Sequence, residues 1–304
     1  MGLIQTPRAW KRNGWTIWHP IAAVVLMIIG VMLTWGAWVD IFQIAYKDEE
    51  ASHIFLVPVV AAWLFWVRRQ RLRLCYPTGT MIGPALVAVG WMLSSYGYYN
   101  AVQSMWHFGA VLTVVGCALS LLGTDVLIKF LPAFVVLAFF VPIPGMVRQG
   151  IAIPLQSYLA QTTKAVFDLL GVEVNQAGNL LTINGKEVAI AEACNGLRMV
   201  FALVLVSFAF AFGTPLRTFV RLLIIVASPV SALVCNVIRM VPTVWLYGMS
   251  GTTWFGVETS VIADAFHDLA GWVMLVVAFL LLMGIIRILQ WALIPVTPYM
   301  LAYD

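Results

Sequence analysis

Glu192-Ala193-Cys194-Asn195-Gly196-Leu197-Arg198 runs without a break into Met199-Val200-Phe201-Ala202-Leu203. A short polar turn carrying a thiol ends there, and a long apolar run starts at once. This pattern places a cysteine where a membrane span meets water, within reach of both solvent and a membrane-tethered substrate. Two further polar residues occur at comparable boundaries downstream: Arg239 in Asn236-Val237-Ile238-Arg239, and His267 in Asp264-Ala265-Phe266-His267.

The surrounding chain has the composition that such a boundary requires. Of its 304 residues, 62% are hydrophobic and 10% charged, against roughly 25% charged in soluble domains. A chain this apolar belongs in a bilayer, as an all-α polytopic membrane protein. The net charge of +4 does not indicate a nucleic-acid partner, because the basic residues lie between apolar runs. Cys75, Cys117, Cys194 and Cys235 show no CxxC pairing, so neither a disulfide framework nor a metal site is expected. No cofactor motif occurs. The run from Ile21 to Val39 is long enough to span and lacks a small-residue cleavage site, so it reads as a first span rather than a cleavable signal.

About eight spans are expected in a single integral membrane domain, near 20–39, 54–67, 81–99, 106–122, 127–144, 197–213, 216–237 and 269–289. With the N-terminus inside, Arg8, Lys11, Arg12, Arg68, Arg69, Arg71, Arg73, Lys129, Arg217, Arg221 and Arg287 fall inside. Only Lys47, Arg148, Lys164, Lys186, Arg198 and Arg239 fall outside. The positive-inside bias therefore puts both termini in the cytoplasm and Cys194, Arg239 and His267 on the outer face. The largest outer insert is 145–196. Its first part, 150–170, is apolar but interrupted by Gln156, Gln161, Lys164 and Asp168, which predicts an amphipathic helix at the interface or packed on the bundle. Apolar and β-branched residues then flank Asn184-Gly185, a strong hairpin signal. The second strand of that hairpin leads into the Cys194 turn.

A thiol at a helix N-terminus, near a cation, has the setting of a nucleophile. Cys75, Cys117 and Cys235 sit in apolar surroundings and read as structural. Arg239 either snorkels to headgroups or holds an anion with its planar fork. Asn236, one turn earlier on the same face, favours the second role. His267 either packs by a hydrogen bond or serves the thiol as base and acid. Asp264 and Asp268 are candidates to orient it. His53, in Ser52-His53-Ile54-Phe55-Leu56-Val57-Pro58, and Arg198 are supporting candidates, while His19 and His107 carry no motif and read as interfacial.

These stretches resemble the exosortase/archaeosortase family of membrane transpeptidases. Ser52–Pro58 is similar to its SHGFLVP-type motif and Ala193–Arg198 to its ACSGLR motif. Asn236–Arg239 resembles its N-x-x-R motif, and Phe266-His267-Asp268 its late histidine. The resemblance extends over roughly 40 to 290. Asn195 stands where the family usually has Ser, and Ile54 where it usually has Gly. The resemblance implies that Cys194 is the nucleophile and that Arg239 and His267 complete the site. It implies substrates that are exported proteins with a C-terminal sorting signal: a short Pro-Glu-Pro-like motif, a transmembrane helix and a basic tail. It also implies a prokaryotic cytoplasmic (inner) membrane location, with transfer to an acceptor whose identity stays open.

The expected activity is thus cleavage of a sorting signal by a cysteine transpeptidase or protease. A transporter or flippase for a lipid-linked glycan is the alternative, and it predicts ionisable residues at mid-bilayer and on both faces. A non-catalytic assembly subunit that retains the motifs is the third.

Overall fold

The computed structural model describes residues 14–77, 79–190, 196–249, 251–254 and 257–291. The chain divides into two compact units, one of residues 1–43 with 61–142, the other of residues 44–60 with 143–304.

In the first unit α1 (Trp18–Leu33) is broken from α2 (Trp35–Lys47) at Thr34, whose hydroxyl bonds back to the Gly30 carbonyl at 2.8 Å. A 3-10 segment, Glu49–Leu56, leads into α3 (Val57–Val67). A second 3-10 segment, Arg69–Leu74, carries Arg69, Arg71 and Arg73. It precedes α4 (Ile82–Tyr99) and α5 (Gln103–Leu122), which are followed by the short α6 (Thr124–Lys129) and α7 (Leu131–Val135) and a 3-10 turn at Val136–Phe140.

α4 and α5 touch backbone to backbone. A Cβ added at Gly83, Gly90 or Gly97 would meet main-chain atoms of Ser120, Thr113 or Trp106 at 2.3 to 2.6 Å. Small residues let membrane helices approach this closely, where dispersion rather than water expulsion holds them. Asp40 of α2 accepts hydrogen bonds from Gln103 at 2.9 Å and from His107 Nε2 at 3.0 Å on α5. His107 is fully buried, with its carboxylate partner within the unit. Cys75 lies buried beside the second 3-10 segment, where burial pushes its thiol up, away from the reactive thiolate form.

In the second unit α8 (Gly145–Leu169) is followed by a three-stranded antiparallel sheet: β1 (Val174–Ala177), β2 (Leu180–Ile183) and β3 (Lys186–Ala189). Asn184 and Gly185 both have positive φ, +52° and +74°, the two-residue turn that their sequence predicts. β1 was not expected. One face of the sheet, with Leu181 and Ile183, packs with Leu159, Ala160 and Phe167 of α8, so α8 is packed rather than peripheral. Met240 and Val244 complete that cluster. They belong to α10 (Thr218–Gly248), which follows α9 (Leu197–Gly213). A small hairpin, β4 (Thr253–Trp254) and β5 (Val257–Glu258), then leads into α11 (Thr259–Trp291).

The protein is mostly helical and multi-pass. Among the described residues four helical segments are long and apolar enough to cross a membrane: Glu50–Val67, α5, α10 and α11. The number rises to six if each of two bent pairs, α1 with α2 and Leu131–Phe140 with α8, is one span; α9 is a shorter apolar helix. The eight apolar runs of the sequence are therefore not eight straight helices. The run near 127–144 is cut by Phe130, Pro132 and the 3-10 turn, and α4 falls outside the long apolar class. At the other end of the chain, α10 and α11 are longer than their apolar runs.

Candidate active site

Arg239 and Tyr247 of α10 meet Gly271 and Asp264 of α11 at the seam between the two helices. On α10, Asn236, Arg239, Thr243 and Tyr247 are spaced by three and four residues and share one face. On α11, Asp264, His267 and Gly271 are spaced in the same way. Two points set the register. Tyr247 donates its phenolic hydrogen to Asp264 Oδ1. At the other end, a Cβ placed on Gly271 would lie 3.0 Å from Arg239 Nη1. The points are eight residues apart on α10 and seven on α11, so the helices run antiparallel and His267 falls level with Thr243. One helical turn, about 5.4 Å along the axis, separates that level from Arg239.

Arg239 is 5% exposed. Its Nη2 donates to Asn236 Oδ1 at 2.9 Å, and its carbonyl accepts from the Thr243 hydroxyl at 2.8 Å. The expected place for this arginine was the outer end of a span closing at 237. Instead α10 continues to Gly248, and the guanidinium sits inside the unit, aimed at α11. Gly271 has no side chain to obstruct it.

Asn236 is fully buried and faces two ways. Besides holding Arg239, it lies against Gly196, where an added Cβ would stand 2.8 Å from Asn236 Nδ2. Gly196 caps the N-terminus of α9 in the left-handed region, φ +80°. Only glycine takes that conformation without strain and also leaves room for the amide. A line of contacts therefore runs from the start of α9 through Asn236 and Arg239 to Gly271.

Cys194 lies outside the described residues, as do Ala191 to Asn195. Chain geometry alone keeps the Cα of position 194 within about 7 Å of Gly196. Arg198, half-buried, is in the first turn of α9.

His53 is buried on the 3-10 segment Glu49–Leu56. Its Nδ1 bonds the Glu50 carbonyl at 3.0 Å, so that nitrogen carries the hydrogen. Its ring lies 5.4 Å from Phe201 on the second turn of α9. Arg148 of α8 holds the start of the same segment through Asp48 and lies 3.7 Å from Glu50. His53 thus braces α9 through Phe201.

The sequence missed Thr243 and Tyr247, which repeat the spacing of Asn236 and Arg239 further along α10. Among the described residues no three His, Cys, Asp or Glu side chains group so as to hold a metal ion.

No curated protein and no solved structure matches the chain. A protein-family model does. It is described as Transmembrane exosortase (Exosortase EpsH) and matches residues 35–284, a range that takes in His53, Cys194, Arg239 and His267, and the chain belongs to the transmembrane exosortase family.

Proposed function

We propose that this exosortase is a cysteine transpeptidase that cleaves the C-terminal sorting signal of membrane-tethered exported proteins on the outer face of a prokaryotic cytoplasmic membrane. The observation that carries this reading is the buried Arg239, gripped by Asn236 and one turn from the level of His267, with Asn236 also touching Gly196 beside the cysteine turn.

In the proposed reaction His267 takes the Cys194 proton, and the thiolate attacks the scissile carbonyl carbon. Arg239 stabilises the negative charge that then develops on oxygen. Its value comes from being buried and held in place by Asn236, so that no large reorientation is needed as charge develops. The imidazolium returns its proton to the departing amine, leaving a thioester on Cys194. An acceptor nucleophile, or water, loses a proton to His267 and attacks the thioester, which restores the thiolate. The substrate's own helix, dissolved in the same bilayer, raises its effective concentration at the site. A glycan transporter would need ionisable residues along a path across the membrane, and among the described residues of α9, α10 and α11 the buried charged side chain is Arg239.

The test is a purified-protein assay with a tethered substrate, read by mass spectrometry of the cleaved product and by hydroxylamine capture of the thioester. His267→Gln is expected to retain substrate binding and slow both acylation and transfer about 10²-fold or more. Arg239→Lys keeps the charge but loses the fork, and a 10²- to 10³-fold drop in rate is expected. Full activity in both variants overturns these roles.

Gly271→Ala provides a finer probe. The new methyl would press on Arg239 Nη1 at 3.0 Å while replacing a helical glycine with the best helix former. We expect the melting temperature to hold or rise while kcat falls about tenfold, because small misplacements of a catalytic group are costly. An unchanged kcat means that the guanidinium does not work from the place where it rests.

A further inference from the structure

We propose that the outer edge of β3 is the docking strand for an extended stretch of the substrate, which adds to the sheet as a fourth strand. This rests on the transpeptidase reading and assigns the sheet a task in it.

The hairpin geometry determines which backbone groups are available. A two-residue turn at Asn184-Gly185 closes on the pair Ile183–Lys186, and the register continues as Leu181–Val188. In an antiparallel ladder closed this way those pairs exchange hydrogen bonds, and the residues between them direct N–H and C=O outward. On β3 the outward groups are those of Glu187 and Ala189. β3 is a terminal strand of the sheet, both residues are exposed, and among the described residues no hydrogen bond reaches their outer backbone groups. β1, the other edge, is different: its outward Val174 is buried at 2% exposure against α8 and the sheet core.

An open edge is a template for any extended chain, which is why proteins usually cover it or charge it. Here it is held rigid at its far end. Ile190 N–H bonds the Asn179 carbonyl at 2.9 Å, and Asn179 Nδ2 reaches the Ile190 carbonyl at 3.2 Å. Gly248 of α10 packs so tightly on Ile183 that a Cβ would lie 2.4 Å from it, which seats the hairpin on the helix that bears Arg239. From Ile190 the chain reaches Cys194 in four residues, about 14 Å at full extension. A peptide on the β3 edge therefore lies a few residues from the bond that Cys194 attacks. Docking through backbone fixes orientation and register before chemistry, and it tolerates varied side chains.

Edge pairing has a signature that steric contact lacks: alternation. Substrate residues whose N–H groups face β3 cannot lose them, and their neighbours can. A series of synthetic substrates N-methylated at one position each is assayed with the wild-type protein. KM is expected to rise about tenfold at every second position and to stay near its starting value between them. Glu187→Pro and Ala189→Pro remove one outward N–H each and leave the β2–β3 ladder intact, and each should raise KM by a similar factor while single-turnover cleavage at saturation is kept. Hydrogen exchange on Cys194→Ala protein should show the Glu187 and Ala189 amides slowed by added substrate.

A flat N-methyl series, with those two amides unprotected, overturns the proposal even if cleavage is normal. Alternation of binding and protection at the two amides, in a protein whose wild type cleaves nothing, upholds the docking edge and removes the transpeptidase reading instead.

Discussion

Cys194→Ala is expected to abolish product formation while the protein inserts and accumulates normally. In other enzymes that work through a covalent nucleophile, deletion of that one residue costs up to about 10⁶-fold in turnover, so a loss beyond 10³-fold is the minimum consistent with the role. The effect on folding should be small. Position 194 precedes α9, which begins at Leu197 with Gly196 as its cap. Cys194→Ser should be nearly as inactive, because an alcohol is a far poorer nucleophile than a thiolate. The other cysteines provide the internal control. Cys75, Cys117 and Cys235 are buried; Cys235 packs among Met199, Leu203 and Leu282, and Cys117 lies against Gly30. Their alanine variants should lose a little stability and keep processing. Product formation by Cys194→Ala would end the covalent mechanism. It would leave cleavage to a step without a thioester, in which His267 and Arg239 act on water or the acceptor directly.

What the sequence revealed and what it concealed divide along physical lines. The start of α9 was legible because glycine and a polar turn meet an apolar run at one point, and the helix found there, Leu197–Gly213, has the expected bounds. The β2–β3 turn was legible because Asn-Gly is the pair that tolerates two successive positive φ angles. β1 escaped because Val174-Asn175-Gln176-Ala177 has little strand character, although Gly178-Asn179 after it is a usable turn signal.

α10 and α11 were read too short for a single reason. Hydropathy treats Asn236, Arg239, Asp264 and His267 as chain ends, whereas Asn236 and Arg239 are buried and paired with each other and Asp264 is held by Tyr247. The helices that carry Arg239 and His267 thus run on past the ends that their apolar runs suggest. Spacing could have shown this: Asn236, Arg239, Thr243 and Tyr247 recur at helical intervals across the supposed end. Bends were concealed for another reason, since an apolar run scores the same whether its helix is straight or broken at Thr34.

The α4–α5 seam should tolerate no side chain at its glycines, and Gly97→Val is expected to prevent stable accumulation. Small residues average into hydropathy as ordinary apolar ones, so composition gave no warning of this. The geometry is severe. An added Cβ at Gly97 would lie 2.3 Å from the Trp106 backbone nitrogen, and one at Gly109 would lie 2.3 Å from that of Ser94. The same clash recurs at Gly83, Gly90 and Gly116, at 2.3 to 2.6 Å from backbone nitrogens. Backbone cannot rotate away as a side-chain tip can, so the helices must separate. Separation breaks the Ser94 hydroxyl bond to the Trp106 carbonyl, 3.0 Å, and forfeits dispersion contacts along the seam. In lipid no expulsion of water compensates for the loss. The cost of forcing even modest extra volume into a packed interior is typically 1–3 kcal/mol, and a backbone clash repeated on two helices belongs at or above the top of that range. Gly97→Val and Gly90→Leu should therefore show lowered melting temperatures in detergent, or fail to purify. Gly150→Ala and Gly284→Ala, whose new methyls meet nothing within 4 Å, should match or slightly exceed the parent, because alanine is the better helix former. A normal melting temperature for Gly97→Val would mean that α4 and α5 are not in backbone contact, and the structure of the first unit would have to be redrawn around a wider seam.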